Sequence, residues 1–149
     1  MTDFMELHVD KFTFKVATDR VYTAEGVWAL VCGSVVRVGI SDFTQQRSGD
    51  VAFAEVKPEG TLLKIGDGIA EVETIKVNLS LTSPAAGKIV RINPLMETAP
   101  ETINQDPYGE GWLCEIEAAD WEADRKNMLD PAAYFEHIQR SAEDEVKEG

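Results

Sequence analysis

The sequence predicts a mainly β protein with a short helix near the middle and a second helix at the carboxyl end. Three observations support this fold class. Apolar residues run through 27–38 with a break only at a Gly-Ser pair, apolar and polar residues alternate from Val77 onward, and Asp130 precedes Pro131 at the start of a helical pattern. A chain of 149 residues suits one hydrophobic core, so we expect a single domain over residues 1–149.

The predicted elements of the first half are strands separated by turn residues. Gly33 divides the apolar run at 27–38 into two strands, because glycine accepts the backbone angles of a tight turn. A polar segment follows, in which Ser41 or Asp42 can cap a short helix. Another strand is predicted over residues 51–56, before a proline and a glycine that end it.

Residues 68–82 have the composition of extended chain without a recognisable turn. No Gly, Pro or Asn-Gly occurs between Gly68 and Asn78, so periodicity alone predicts one long strand there. From Val77 the alternation is clean, with apolar side chains on one face and polar side chains on the other.

A short internal repeat also fits a flattened barrel. Residues 33–38 read Gly-Ser-Val-Val-Arg-Val, and residues 87–92 read Gly-Lys-Ile-Val-Arg-Ile. Each is a glycine turn that leads into a strand of similar composition, and two such units suit a barrel made of two short sheets.

The composition changes beyond the β region, which we place at about residues 20–118. Residues 119–140 form a predicted C-terminal helical region, with a short helix near residues 121–128. The longer helix begins after Asp130, which is a suitable cap. Residues 141–149 are acidic and poor in apolar side chains, so a frayed tail is expected there.

The charge balance limits the kinds of partner. The chain has 14 basic and 27 acidic residues, a net charge of -13, which argues against binding to nucleic acid or to anionic membranes. It suits a monomer that meets basic patches on partner enzymes. No apolar run approaches the roughly 20 residues of a membrane span and no secretory signal is apparent. We therefore expect a cytoplasmic protein in which Cys32 and Cys114 are reduced.

The sequence contains no signature of a catalytic centre. It has no nucleophile motif, no Gly-rich phosphate loop and no paired carboxylates, so the prediction is that the protein is not an enzyme. His8 and His137 are isolated from each other and from any cysteine pattern, and we expect surface residues and no metal site. Trp28 and Trp112 are predicted to lie in the core.

One lysine has unusual neighbours. Lys76 is flanked by Ile75 and Val77 and follows Glu73 and Thr74. From these residues alone, the favoured interpretation is an ordinary exposed hairpin lysine that guards a strand edge.

Several segments, in order and at matching spacings, resemble the glycine cleavage H-protein family of lipoyl carriers. Beside Lys76 they are residues 40–45 (Ile-Ser-Asp-Phe-Thr-Gln), Gly49-Asp50, Ser83-Pro84 with Gly87, and residues 104–113 (Asn-Gln-Asp-Pro-Tyr-Gly-Glu-Gly-Trp-Leu). Together they cover about residues 20–140. Each segment alone is weak evidence, and the ordered set is specific.

The resemblance implies a lipoyl/biotinyl-type flattened barrel, the barrel-sandwich hybrid, in which Lys76 carries lipoic acid as an amide. The remaining residues of the modification hairpin would be Glu73, Thr74, Ile75 and Val77, with the chain reversing at 74–77. The carrier would be a substrate of a lipoate ligase or lipoyl transferase. Biotin is discounted, because biotin carriers usually have Met on both sides of the lysine.

The lipoyl group on Lys76 would act as a swinging arm that carries a chemical group between enzymes. The resemblance to the family does not by itself identify that group. Gly26 and Val27 stand where the family usually has a His-Glu pair, and the residues after Lys76 are more apolar than usual. In these departures the chain resembles the H-like lipoate-binding proteins of sulfur-oxidising prokaryotes. That resemblance implies that the lipoyl group carries sulfur-bearing groups and that the partner is a heterodisulfide-reductase-like complex. One alternative is glycine cleavage, with the P, T and L proteins, the last a dihydrolipoamide dehydrogenase, as partners. A second is an unmodified docking adaptor.

Overall fold

Strands account for most of the regular structure within residues 2–148, the part of the chain that the computed structural model describes, with side chains described through Glu145. The strands are β1 (Phe4–Val9), β2 (Phe12–Ala17), β3 (Val21–Tyr22), β4 (Val27–Cys32), β5 (Val35–Ile40), β6 (Val51–Val56), β7 (Leu62–Leu63), β8 (Gly68–Thr74), β9 (Asn78–Thr82), β10 (Gly87–Ile92) and β11 (Cys114–Ala118). The helices are α1 (Asp42–Ser48), α2 (Leu95–Thr98), α3 (Thr102–Gln105), α4 (Trp121–Asp124) and α5 (Pro131–Glu148), with a 3₁₀ turn at Arg125–Asn127. The predicted fold class is confirmed.

The strands form two larger sheets and a separate hairpin. The six-stranded sheet has the order β3-β4-β5-β11-β10-β7, and the three-stranded sheet has the order β6-β8-β9. Strands β1 and β2 pair with each other alone among the described residues. The two larger sheets share one core without closing on each other, so the flattened barrel consists of two open sheets.

The main core lies between the two larger sheets. It joins Val72 and Leu81 of the three-stranded sheet to Val38, Ile89 and Ile116 of the six-stranded sheet. Around Val72 on β8 and Leu81 on β9, buried residues alternate with more exposed ones, which is the period-2 pattern of a sheet with one buried face. Fully burying an aliphatic side chain of this size contributes about 1.5–3 kcal/mol.

A second cluster of buried hydrophobic residues lies beneath helix α5. Tyr134 of α5 stacks on Tyr22, with ring centroids 4.2 Å apart and an interplanar angle of 3°. Trp28 and Ile138 are buried in the same cluster, which confirms the predicted position of this tryptophan and the apolar edge of the helix. The Tyr134 hydroxyl lies 2.6 Å from the Ser41 hydroxyl, and this contact joins α5 to the start of α1.

The internal repeat has a structural counterpart. Its two strands, β5 and β10, flank β11 on either side. Arg37 and Arg91 occupy the same position in the two repeats, and both pair with Glu115 at nitrogen–oxygen distances of 3.0 and 3.5 Å. Both guanidinium groups also lie over the ring of Trp112, so the repeat produces a shared cluster on one face of the sheet.

The predicted turn and caps are confirmed. Gly33 has a φ of 64° between β4 and β5, which is the left-handed conformation expected of it. The Ser41 hydroxyl accepts a hydrogen bond from the backbone nitrogen of Thr44 at the start of α1. Asp130 accepts one from the backbone nitrogen of Ala133 at 2.8 Å, which caps α5.

Two boundaries differ from the prediction. The β region begins earlier than residue 20, because β1 and β2 form a hairpin whose Phe14 and Val16 are buried. The frayed tail expected over residues 141–149 is wrong through Glu148, since α5 continues to that residue, and Gly149 lies outside the described residues. Ala142 is buried in the second cluster and anchors this part of the helix, although the next three side chains, Glu143, Asp144 and Glu145, are exposed and acidic.

Candidate functional site

Lys76 lies at the tip of a hairpin formed by β8 and β9. Glu73 pairs with Asn78 across this hairpin, so the chain reverses at residues 74–77, as the family resemblance predicted and periodicity did not. Lys76 is exposed, and its neighbours Ile75 and Val77 are 73% and 46% exposed. The lysine is therefore accessible to an enzyme that acts on it.

Thr74 replaces the usual turn residues of this hairpin. Its buried hydroxyl accepts hydrogen bonds from the backbone nitrogens of Lys76 and Val77 at 3.3 and 3.0 Å. The same oxygen lies 2.7 Å from the Ser48 carbonyl and 2.8 Å from the Val77 carbonyl, either of which can take its proton. A threonine hydroxyl can stabilise a turn through such local bonds, and periodicity overlooks it. The sequence prediction placed Thr74 in the hairpin without giving it this role.

The hairpin tip rests on the segment that follows α1. The backbone nitrogen of Ile75 donates to the Asp50 carbonyl at 3.0 Å. Gly49 has a φ of 89°, and a Cβ built there would lie 3.1 Å from Cγ1 of Ile75 and 3.6 Å from Cγ of Lys76. The Gly49-Asp50 segment of the resemblance therefore supports the tip directly, and only a residue without a side chain fits this close approach in that conformation.

Asn104 supports the same segment from the other side. Its amide nitrogen donates to the Gly49 carbonyl and to Oε1 of Gln45, both at 3.0 Å, and its Oδ1 accepts from the backbone nitrogen of Val51 at 2.8 Å. In the sequence, Asn104 belongs to a family motif but has no predicted role. No local pattern singles it out, because its partners Gln45, Gly49 and Val51 lie far from it in the sequence.

The outer face of the three-stranded sheet is acidic near the hairpin. Glu55 and Glu71 are register partners on β6 and β8, and Glu73 follows two residues later along β8. All three side chains are exposed, and Glu71 accepts a hydrogen bond from the Ser80 hydroxyl at 2.8 Å. This face favours a partner surface that carries basic side chains.

A groove of about 470 Å³ begins at Lys76. We call it the Lys76 groove, and its lining residues are Val9, Phe12, Phe14, Gln46, Arg47, Lys76, Ala142 and Glu145. It lies between the β1–β2 hairpin, α1 and the last turns of α5. Its volume falls in the range of about 300–1,000 Å³ that is typical of sites for small ligands.

The other candidate residues lie apart from this hairpin. Cys32 is half-buried and Cys114 is buried, and both are free thiols. Burial, together with the neighbouring Glu115 carboxylate, raises the pKa of the Cys114 thiol to about 12. His8 is exposed, as expected, whereas His137 is half-buried beside the Ala24 carbonyl.

Metal-ligating groups and membrane-crossing helices were both looked for among the described residues. No three His, Cys, Asp or Glu side chains among them are grouped as a metal site requires. No helix in that part of the chain combines the length and the apolarity needed to cross a bilayer.

Comparison with known proteins identifies the family of the chain. The family model of the glycine cleavage H-protein matches residues 20–141. The chain belongs to the glycine cleavage H-protein family. The glycine cleavage system H protein of Beutenbergia cavernae is 42% identical over 119 residues, which are 80% of this chain and 93% of that protein. The one from Thermus thermophilus is 39% identical over 127 residues, 85% of this chain and 98% of its own length.

The fold of the H-protein family is shared as well. The crystal structure of a glycine cleavage system H protein from Mycobacterium marinum matches with a TM-score of 0.71 and 32% sequence identity. The match covers 78% of this chain and 94% of that chain. The family model covers residues 20–141, so strands β1 and β2 and the last turns of α5 lie outside it.

Two residues that depart from the usual H-protein pattern, Gly26 and Val27, are tightly packed in this structure. Val27 is fully buried in the main core. Gly26 has a φ of 93°, and a Cβ built there would overlap the Thr44 hydroxyl oxygen. A larger residue at position 26 would therefore displace Thr44. Neither Gly26 nor Val27 lines the Lys76 groove, so these two residues say little about the group that an arm at Lys76 would carry.

Proposed function

We propose that this chain is the lipoyl carrier of a glycine cleavage system, with lipoic acid amide-linked to Lys76. The observation that carries the proposal is the coincidence of two facts. The chain belongs to the H-protein family, and its motif lysine lies exposed at the tip of a hairpin that is held by Thr74, Gly49 and Asp50. The protein itself would be non-catalytic.

The residues around Lys76 fit an amide-linked arm. Exposure of the lysine admits a lipoate ligase or lipoyl transferase, and the hydrogen bonds of Thr74 present the tip in one shape. When attached, the lipoyl group would supply a disulfide that receives the methylamine group of glycine at the P protein and delivers it to the T protein. The chain's own contribution is to position that group and to dock its partners.

Charge supports the choice of partners. The P, T and L proteins, the last a dihydrolipoamide dehydrogenase, would each have to approach the acidic face that contains Glu55, Glu71 and Glu73. With a net charge of -13, the carrier attracts partners whose docking surfaces are basic, and such steering raises association rates. We place the exchange in the cytoplasm, where Cys32 and Cys114 remain reduced thiols.

The sulfur-carrying function favoured by the sequence pattern finds no support in these comparisons. The relatives reported above are named as glycine cleavage system H proteins. In addition, Gly26 and Val27, the residues on which the sulfur interpretation partly rested, do not line the Lys76 groove. Glycine cleavage, the alternative that the sequence left open, is therefore the proposed pathway, and a heterodisulfide-reductase-like partner is not.

The first experiment is the intact mass of the protein from its own host, with peptide mapping across Lys76. A lipoyl increment on Lys76 is expected. An unmodified lysine in growing cells would favour the docking adaptor instead, and a persulfide or longer sulfur chain on the arm would favour a sulfur cargo.

The second experiment separates the pathways. The lipoylated carrier is combined with purified P protein, and exchange of labelled bicarbonate into glycine is measured. We expect exchange that depends on carrier concentration, with the Lys76→Arg variant as the inactive control. A lipoylated carrier that supports no exchange with several P proteins would refute the glycine assignment while leaving the lipoyl attachment intact.

A further inference from the structure

A groove of about 440 Å³ lies between the edge of the three-stranded sheet and helix α2. We call it the β6 groove, and the lining residues that matter here are Phe53, Glu55, Val56, Ile92, Met96 and Glu97. None of its lining residues lines the Lys76 groove. The β6 groove is therefore distinct from the site at the hairpin tip.

Much of the lining of the β6 groove is apolar. Met96 is buried, and Val56 and Ile92 are half-buried. Phe53 is 54% exposed and belongs to neither of the two core clusters. An aromatic ring that the fold leaves uncovered is available to a partner, and aromatic side chains are enriched at protein interfaces.

The charged side chains of the lining are both acidic. Glu55 and Glu97 are exposed, and neither forms an ion pair with any residue that the structure describes. Lys57, which follows β6, lines a neighbouring pocket with Glu71 and does not line this groove. Carboxylates beside an apolar surface favour a cation with an apolar stem, which is the character of a long basic side chain.

The edge of β6 also presents backbone carbonyls to the solvent. The backbone nitrogen of Lys57 donates to the Ile69 carbonyl at 2.9 Å, so these two residues are a hydrogen-bonded pair of the antiparallel ladder between β6 and β8. Such pairs alternate along a ladder, so the backbone groups of Glu55 point toward β8 and those of Ala54 and Val56 point away from it. Among the described residues, no backbone donor outside the sheet reaches these two outward carbonyls.

We propose that the β6 groove is a docking site for an arginine side chain of a partner protein. Arginine has five N–H donors and no acceptor, which suits a site that offers carboxylates and carbonyls. Its guanidinium can stack on the Phe53 ring and bond to Glu55 or Glu97, while its apolar stem lies along Ile92. A lysine would keep the charge but lose the planar stacking and the fork of donors.

Charge favours a different protein over a second copy of this chain. Two copies that each have a net charge of -13 repel one another, whereas a basic partner is attracted. Phe53 is the register partner of Glu73, so a partner anchored in the groove stands beside the strand that leads to Lys76. Docking does not require that Lys76 be modified, so the inference goes beyond the proposed function and does not depend on it.

The experiment is an NMR titration of the full chain with three short peptides that differ in one side chain. The probe is N-acetyl-Gly-Gly-Arg-Gly-Gly amide, and the controls contain citrulline or lysine in place of arginine. Citrulline keeps the shape of the arginine side chain but has no charge. We expect the arginine peptide to shift the backbone amide signals of residues 53–56 and 92–97 and to bind about threefold to tenfold more tightly than the citrulline peptide, with lysine between them.

An aromatic variant and its control localise the binding. Phe53→Ser should weaken binding of the arginine peptide by about threefold or more, because the stacking surface is lost. Phe4→Ser removes a ring of similar exposure, 43%, from the N-terminal hairpin and should leave the affinity unchanged. Thermal denaturation shows whether each variant is folded before it is titrated.

A pair of charge variants separates the groove from general attraction. Glu55→Gln combined with Glu97→Gln should weaken binding, whereas Glu6→Gln combined with Glu136→Gln makes the same change in net charge on β1 and α5 and should have little effect. Equal affinities of the arginine and citrulline peptides, or binding that does not respond to Phe53→Ser, would overturn the proposal. Shifts at residues 53–56 that appear without peptide as the protein concentration rises would also overturn it, since a second copy would then fill the groove.

Discussion

The Thr74 hydroxyl lies 2.7 Å from the carbonyl oxygen of Ser48, the last residue of α1. This contact joins the hairpin tip, through Thr74, to a helix that begins at the Ser41 cap and is tied there to Tyr134 of α5. The position of Lys76 therefore depends on packing some distance along the chain from the lysine itself. For the carrier role proposed above, such support is an advantage, since a mobile tip would have to be ordered in each encounter with a partner enzyme.

Thr74→Ala removes the hydroxyl and should loosen the tip. The backbone nitrogens of Lys76 and Val77 lose their acceptor, and we expect a loss of about 1–2 kcal/mol in the free energy of unfolding together with slower lipoylation of Lys76. Thr61→Ala is the matched control, because the Thr61 hydroxyl makes a similar turn bond to Pro58, at 2.6 Å, away from the hairpin. Lipoylation slowed equally in both variants would show that Thr74 has no particular role at the tip.

Gly49→Ala should impair the hairpin through two separate effects. Gly49 has φ and ψ of 89° and −170°, a region essentially restricted to glycine, and placing another residue there costs about 1–3 kcal/mol. The new Cβ would also press against Ile75. Gly60→Ala separates the two effects, since Gly60 has a φ of 90° but no atom within 4 Å of the position that its Cβ would take. Thermal denaturation should show losses for both variants, and only Gly49→Ala should reduce lipoylation of the folded protein.

Lys76→Arg should abolish lipoylation and leave the fold unchanged. The side chain is exposed, and surface substitutions of this kind usually change the free energy of unfolding by less than about 0.5 kcal/mol. Arginine keeps the charge but cannot be acylated by the ligase at its guanidinium. Mass spectrometry and thermal denaturation of the same samples check both halves of the prediction. A large drop in melting temperature would mean that Lys76 stabilises the fold.

The two thiols should react very differently. The thiolate is the reactive form of cysteine, and the pKa of Cys114, raised to about 12 by burial and by Glu115, leaves it protonated at about pH 8. We expect a neutral alkylating reagent to modify Cys32 alone in the folded protein at that pH, and both cysteines after denaturation. Peptide mapping identifies the sites. Rapid native modification of Cys114 would indicate that β11 opens far more often than its burial implies.

The sequence by itself determined the elements whose signals are local. Gly33 marks the turn between β4 and β5, Ser41 caps α1, and Asp130 caps α5, because each of these positions needs a particular side chain or none at all. Alternation along β9 likewise follows from a sheet with one buried face. The ordered motifs also pointed to Lys76 and to the family, since their spacing is a property of the chain alone.

Tertiary structure decided what depends on residues distant in sequence. The hairpin at Lys76 has no glycine or Asn-Gly of its own, and its turn is stabilised by the Thr74 hydroxyl and by Asp50 from another segment. The last turns of α5 look polar in sequence, yet Ala142 is buried because the second core lies beneath it. The Lys76 groove forms where the N-terminal hairpin and the last turns of α5 come together beside α1. No local sequence pattern predicts that contact, because the segments that form it are far apart in the chain.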